Sequence, residues 1–241
     1  MIPKIIHYCW FGNKELPELV KKCITTWHKH LPDYEFKLWN EETFDINSSE
    51  WCIGAYKEKK YAFVSDYVRL KVLYEYGGIY LDTDIKILKS FNSLLESHGF
   101  LGFEDIKGEV IASCIMGFEK EHSFIKECLE YYNQPFTLDI IKNNEANVID
   151  ITNRLRNYGL ILGGMEQIVD DIKIYPREYF CPMDFWGNWN QTKNTYCIHL
   201  FNGSWLPVRE QKKLNRRKTW WWKGLKWIKN QLSLSVKPMP K

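Results

Sequence analysis

Two aspartates, Asp82 and Asp84, stand two residues apart at the end of an apolar run that follows a pair of glycines. We expect Ile79–Asp84 to form a strand, which would place both carboxylates on one face with Tyr80 one step behind them. Carboxylates held this close repel each other unless a positive charge lies between them. Mn²⁺ or Mg²⁺ is the kind of cation that carboxylate oxygens prefer, and such ions commonly also bind the phosphates of a substrate. The spacing therefore predicts a divalent-metal site, although this short motif alone is also common in solvated loops.

A second charged pair, Asp66 and Arg69, lies on the helix that we predict over Ala62–Tyr76, just before the glycines. Residues three apart share a helix face, so the two could form an ordinary ion pair worth a few tenths of a kcal/mol. They could instead bind a substrate, with Asp66 on a sugar hydroxyl and Arg69 near a sugar or phosphate, because the guanidinium fork matches oxyanions. The functional interpretation places this pair beside the metal site.

Two further residues have side chains suited to this chemistry. Trp10 follows the first predicted strand and could stack on a nucleobase, although a single Trp is more often part of a core. His199 lies near the end of the last predicted strand, and a neutral imidazole is a good third ligand for a divalent ion. A single His is more often structural, so this assignment depends on the fold bringing it to Asp82 and Asp84.

Hydrophobic periodicity indicates the elements that must position these residues. A strand over Lys4–Cys9, a helix over Pro17–His30 and a strand over Tyr34–Trp39 follow one another, which indicates an α/β fold with a mainly parallel central sheet. Ligands bind at the carboxyl ends of the strands in such sheets, where Asp82, Asp84 and Trp10 would lie.

Charge divides the chain into two parts. Residues 209–241 carry eleven Lys or Arg and one acidic residue, whereas residues 1–208 carry twenty-two basic and twenty-nine acidic residues. We therefore predict one domain over 1–208 and a basic, Trp-rich tail over 209–241, whose residues Trp221, Leu225, Ile228 and Leu232 recur at helix spacing. Such a basic amphipathic helix favours an anionic membrane surface, the alternative being a helix that packs on the domain or on another subunit.

The number and spacing of the cysteines indicate the cellular compartment of the protein. The seven Cys are odd in number and include no C-x-x-C pair, which is typical of buried, reduced thiols. We expect a cytoplasmic protein that lies peripherally on the inner face of the plasma membrane through its tail. The acidic body offers no extended basic groove, so we expect no nucleic acid partner.

Taken together, these segments resemble the family 32 glycosyltransferases, the DXD sugar-binding family. This family includes bacterial capsular-polysaccharide sugar transferases, which the sequence resembles most, and fungal mannosyltransferases, and it is related to the clostridial glucosylating toxins. The resemblance spans roughly residues 1–208 and is carried by four blocks: Ile2–Gly12, Ala62–Leu70, Tyr76–Asp84 and Ile198–Trp205.

The resemblance implies a GT-A fold, a nucleotide-sugar donor with UDP-hexose favoured, and Mn²⁺ or Mg²⁺. It implies retention of anomeric configuration and a saccharide acceptor, lipid-linked and belonging to capsule or another surface polysaccharide. The implied residue roles are base stacking by Trp10, donor-sugar binding and catalysis by Asp66 and Arg69, diphosphate contact by Tyr80, donor contact by Asp82, Ser204 and Trp205, and metal binding by Asp82, Asp84 and His199.

Two other function classes are compatible with parts of the pattern. A haloacid-dehalogenase-type phosphatase also uses a strand followed by Asp-x-Asp, but it needs Thr or Val two residues after the second Asp, where this chain has Lys86. A non-catalytic module that binds a nucleotide sugar or a membrane is the other alternative. Phosphate release from phosphomonoesters and Mn²⁺-dependent donor hydrolysis separate the three classes.

Overall fold

A computed structural model describes residues 1–142, 147–183 and 189–203, together with residues 209 and 212. Its helices are α1 Glu18–His30, α2 Glu50–Lys57, α3 Tyr61–Tyr76, α4 Ser123–Glu130, α5 Leu138–Lys142 and α6 Asn147–Asn157. Its strands are β1 Ile5–Cys9, β2 Glu35–Trp39, β3 Gly78–Leu81, β4 Ile85–Ile87, β5 Gly99–Gly102, β6 Ile115–Phe118, β7 Gln167–Val169, β8 Ile172–Tyr175 and β9 Cys197–His199.

Seven of the strands form a central sheet in the order β2-β1-β3-β6-β5-β8-β7, and β4 pairs with β9 in a separate ribbon. Five strands of the central sheet run in one direction, and β6 and β7 run against them. The predicted α/β fold with a mainly parallel central sheet is thus confirmed. The carboxyl ends of β1, β3 and β5 lie at one edge of this sheet.

Buried side chains cover both faces of the sheet. On one face, α2, α3, α4 and α6 pack in a core that includes Trp51, Val68 and Phe118. On the other face, α1 and the β4–β9 ribbon pack in a core that includes Trp27 and Ile85. The arrangement has three layers, and the small ribbon reaches the carboxyl edge of β3 from the second face.

The turn between α3 and β3 depends on the glycine pair. Gly77 has φ +65° and Gly78 has φ +103°, in the left-handed region that favours glycine. A Cβ on Gly78 would lie 2.7 Å from the carbonyl oxygen of Ile5, so the close approach of β1 also excludes a side chain. The pair ends α3 and starts β3 without a connecting loop, which fixes Asp66 and Arg69 relative to the residues after β3.

Among the described residues, we find no helix with both the length and the apolar character needed to span a bilayer. The amphipathic helix predicted in the tail lies outside the described residues.

Candidate active site

The two aspartates follow β3 on a turn rather than on a strand. The strand ends at Leu81, where pairing with Ile115 stops, and the backbone N–H of Asp82 donates to the carbonyl of Cys114 at 2.8 Å. The N–H of Ile85 then donates to the carbonyl of Asp82 at 3.1 Å, which closes a turn over Thr83. The predicted strand over Ile79–Asp84 was therefore wrong in its second half, because the chain leaves the central sheet to begin β4.

The turn nevertheless brings the three predicted metal ligands together. One side-chain ligand atom from each of Asp82, Asp84 and His199 lies within 4.8 Å of the others. The pairing of β4 with β9 places Ile85 opposite His199, and Nε2 of His199 lies 3.3 Å from Oδ1 of Asp84. Two carboxylates and one imidazole form a donor set that fits Mn²⁺ well and also fits Mg²⁺.

The segment after β9 holds Asp84 in place. The backbone N–H of Asn202 donates to Oδ2 of Asp84 at 2.7 Å, and the N–H of Leu200 donates to its carbonyl at 3.1 Å. Burial acts to raise the pKa of Asp84, but His199 and the Asn202 N–H outweigh it and lower the pKa below its usual value. Asp84 is thus ionised at neutral pH, as a metal ligand must be.

Arg69 is buried, with 5% of its surface exposed, and it organises the acidic residues around it. Its Nη2 lies 2.9 Å from Oδ1 of Asp66 and 3.4 Å from Oδ1 of Asp82. Its Nη1 donates to both the carbonyl and the hydroxyl of Ser113 at 2.8 Å, and its Nε donates to the carbonyl of Ser65 at 3.3 Å. Nε and Nη1 are thus engaged by Ser65 and Ser113 while Nη2 faces two carboxylates, so the placement of the guanidinium favours holding carboxylates over direct contact with a donor.

Asp66 keeps one carboxylate oxygen for another partner. Oδ1 lies 2.9 Å from Nη2 of Arg69 in an ion pair and accepts from the side-chain amide of Asn147 at 2.9 Å, while no hydrogen bond within the described part of the chain reaches Oδ2. Burial raises the pKa of Asp66 to about 6; Arg69 opposes this rise and the Asp82 carboxylate adds to it. This arrangement can present one oxygen to a sugar hydroxyl.

The two aromatic residues that we predicted at the donor lie in different environments. Tyr80 has 2% of its surface exposed, its ring lies 4.6 Å below the Arg69 guanidinium, and its hydroxyl donates to Oδ1 of Asp82 at 2.9 Å. It therefore supports Asp82, and diphosphate contact by Tyr80 stays a prediction.

Trp10 follows β1 at the same sheet edge, is half-buried, and donates its Nε1–H to the carbonyl of Lys14 at 2.7 Å. Base stacking by Trp10 also stays a prediction.

Three residues that sequence reasoning missed belong to this site. Ser113 and Asn147 are buried polar side chains that hydrogen-bond to Arg69 and Asp66, and Glu104 follows β5 within electrostatic range of His199 and Asp82. Burial raises the pKa of Glu104, and His199 opposes that rise. No local spacing marks these residues, since each reaches the site through long-range contacts. Ser204 and Trp205, predicted at the donor, lie outside the described residues.

Comparison with known proteins identifies the region that carries the paired aspartates. Residues 17–101 match the family described as glycosyltransferase sugar-binding region containing DXD motif. The chain is 36% identical over 132 residues to inositol phosphoceramide mannosyltransferase 3 of Schizosaccharomyces pombe, which covers 52% of this chain and 35% of that protein. It is 30% identical over 137 residues to mannosyl phosphorylinositol ceramide synthase CSH1 of Saccharomyces cerevisiae, covering 54% of this chain and 35% of that protein.

The matched part spans about a third of the length of these curated relatives. Among solved structures, the fold is similar to one titled PaToxG Glycosyltransferase, with a TM-score of 0.49 and 23% identity over 64% of this chain and 68% of that chain.

Proposed function

We propose that this chain, whose residues 17–101 match the DXD-containing sugar-binding region of glycosyltransferases, is a metal-dependent glycosyltransferase that uses a nucleotide-sugar donor. The observation that carries the proposal is the meeting of Asp82, Asp84 and His199 at the carboxyl edge of β3. Asp66 and Arg69 lie in the same cluster and are linked to Asp82 through the guanidinium.

Each of these residues has a task that follows from its contacts. Asp82, Asp84 and His199 would hold a divalent cation, which would neutralise the charge that grows on the leaving diphosphate. Asp84 is held ionised by His199 and by the N–H of Asn202. Arg69 fixes Asp66 and Asp82 from within the protein. The remaining carboxylate oxygen of Asp66 accepts a hydrogen bond from a hydroxyl of the donor sugar.

The finer assignments extend this proposal. We infer transfer of a hexose with retention of configuration, from UDP-hexose or, given that the fungal relatives are named as mannosyltransferases, from a nucleotide-activated mannose. The acceptor we propose is lipid-linked. A saccharide of capsule or another surface polysaccharide and an inositol phosphoceramide, the latter suggested by the relatives' names, are the two acceptor classes to test.

An exposed apolar patch near the same sheet edge favours a lipid-linked acceptor. Its large side chains are 39–74% exposed and come from the loop after β5, from the segment that leads into β7 and from β7 itself: Ile106, Ile161, Leu162, Met165 and Ile168. The N–H of Gly163 donates to the carbonyl of Gly108 at 2.9 Å, which joins the two loops. Several large exposed apolar side chains on loops joined in this way are typical of a site of lipid or protein contact, and their position suits the lipid part of an acceptor.

The location of the protein belongs to the same proposal. We propose peripheral association with the inner face of the plasma membrane through the basic tail at residues 209–241. Truncation after residue 208 should reduce binding to anionic vesicles but not to neutral ones. Unchanged binding to anionic vesicles would contradict this part of the proposal.

The test of the enzyme assignment compares Asp84→Asn with Asp33→Asn, an exposed aspartate that pairs with Lys4 away from the site. Nucleotide sugars are screened with and without Mn²⁺ by thermal shift, and donor hydrolysis is followed with the stabilising one. We expect Asp84→Asn to lower turnover by about 100-fold or more and to abolish Mn²⁺-dependent donor binding, with Asp33→Asn unchanged. Full turnover in Asp84→Asn would contradict the proposal, and phosphate release from phosphomonoesters would favour the phosphatase alternative.

A further inference from the structure

Behind the paired aspartates lies a second group of potential ligands, which contains two cysteines. Cys114 and Cys181 are 2% and 0% exposed, and their Sγ atoms lie 3.6 Å apart. The two sulfur atoms and a ring nitrogen of His199 all lie within 4.8 Å of one another. His199 thus belongs to two groups, one with Asp82 and Asp84 and one with these thiols.

The two ring nitrogens of His199 have different surroundings. Nε2 lies 3.3 Å from Oδ1 of Asp84. Nδ1 is buried and makes no well-aligned hydrogen bond with the described residues, and the Cys114 thiol is close enough to His199 to interact with the ring. Buried polar atoms normally have a hydrogen-bond partner, so a ring nitrogen that lacks a well-aligned one and lies beside a thiol is suited to bind a metal ion.

We propose that Cys114, Cys181 and Nδ1 of His199 form a binding site for a thiophilic divalent cation such as Zn²⁺. Across a tetrahedral zinc ion with Zn–S bonds of about 2.3 Å, two sulfur atoms stand about 3.8 Å apart, close to the spacing observed here. The ion displaces the two thiol protons, which leave to solvent, and accepts the lone pair of Nδ1. The three protein ligands leave the fourth position of a four-coordinate zinc ion to a water molecule or another small ligand.

The position of Asp84 supports this assignment. A histidine that binds zinc through one nitrogen usually donates its other N–H to a carboxylate, which fixes the ring and its tautomer. Asp84 occupies that place, at 3.3 Å from Nε2. With Nε2–H directed at Asp84, this nitrogen cannot also bind a cation between the aspartates, so a soft cation at the thiols would compete with a hard cation for His199.

Titration of the reduced full-length protein with Co²⁺ as a spectroscopic probe for Zn²⁺ tests the site. We expect one Co²⁺ per chain with a thiolate-to-cobalt charge-transfer band, and we expect Zn²⁺ to abolish the band by displacement. Cys114→Ser and Cys181→Ser should each weaken Co²⁺ binding by at least 10-fold. Cys52→Ser, in an equally buried thiol of the other core, should leave the band unchanged. Asp84→Asn should weaken binding by about 10–100-fold, the usual effect of losing such a carboxylate.

Absence of the band from the wild type, or its survival in both Cys114→Ser and Cys181→Ser, would overturn the proposal. The thermal midpoint of the wild type with Zn²⁺ and with Mg²⁺ gives a variant-free check in case a buried serine disturbs folding. We expect Zn²⁺ to raise the midpoint, and Mg²⁺ to raise it no further in the absence of a donor. An unchanged midpoint with Zn²⁺ would count against the site. None of these measurements uses transfer activity. A negative result for the zinc site therefore does not contradict the proposed function, and absence of transfer activity does not contradict the zinc site.

Discussion

Asn147 donates its side-chain N–H to Oδ1 of Asp66 at 2.9 Å, although eighty-one residues separate them in sequence. The amide oxygen of Asn147 accepts from the hydroxyl of Ser113 at 3.0 Å, and that hydroxyl in turn accepts from Arg69. Arg69 closes the ring by its contact with Asp66. One amide, one hydroxyl and one guanidinium therefore fix the orientation of a single carboxylate.

We predict that Asn147→Ala lowers kcat by about 10-fold while the affinity for the nucleotide itself changes little. The variant removes the Asn147 hydrogen bond to Oδ1 of Asp66, leaving only the ion pair with Arg69, and deprives the Ser113 hydroxyl of its acceptor, so the carboxylate loses its fixed orientation. Steady-state kinetics and nucleotide titration give the two quantities. Asn153→Ala, at an exposed position of the same helix, is the matched control, and equal kinetics of the two variants would refute the positioning role.

A lysine cannot replace Arg69. We predict that Arg69→Lys destabilises the protein by about 1–3 kcal/mol, because three N–H groups on a flexible stem cannot reach Ser65, Ser113 and the two carboxylates together and so leave buried acceptors unpaired. Urea unfolding gives the free energy of unfolding. Lys71→Arg, in a half-exposed pair with Glu75 on the same helix, should change it by less than about 0.5 kcal/mol. A comparably small change in Arg69→Lys would show that the buried network contributes little.

Local sequence signals were sufficient for the parts of the site that lie close together in sequence. The glycine pair between α3 and β3 and the spacing of Asp66 and Arg69 depend on short-range geometry, and both are present as predicted. The end of β3 at Leu81 was not predictable, because it depends on where pairing with Ile115 stops.

Long-range contacts explain the residues that the sequence did not reveal. Ser113 and Asn147 are ordinary polar residues in their own segments, and they matter only because β6 and α6 bring them to Arg69. Cys114 and Cys181 were likewise not predicted as metal ligands. A pair of cysteines sixty-seven residues apart has no recognisable spacing.

The stability of the protein should depend on the protonation of His7. Trp39 donates its Nε1–H to Nδ1 of His7 at 3.1 Å, so Nε2 carries the proton and donates to the carbonyl of Gly77 at 2.8 Å. Burial lowers the pKa of His7 from 6.5 to about 4, with the Gly77 hydrogen bond opposing this shift. Between these two values the unfolded chain binds the proton and the folded chain does not, so stability is complete above pH 6.5 and falls as the pH drops toward 4.

The expected loss from this one group is about 3 kcal/mol between pH 7 and pH 4. Urea unfolding across this range measures it in the wild type, in His7→Gln and in His28→Gln, where His28 is an exposed histidine on α1. We expect a smaller decline in His7→Gln than in the wild type, and a decline in His28→Gln that matches the wild type. Parallel declines in all three would exclude His7 as the source.

The apolar patch defined above should affect the acceptor and not the donor. We predict that Ile161→Glu combined with Met165→Glu raises KM for a lipid-linked acceptor by about 10-fold, because each glutamate replaces apolar surface that the lipid would cover. Turnover with a water-soluble saccharide acceptor and hydrolysis of the donor should be unchanged. Ile53→Glu combined with Leu138→Glu adds the same charge at exposed apolar positions of α2 and α5 and serves as the control. An equal rise in KM in both double variants would mean that added negative charge, and not loss of the patch, weakens acceptor binding.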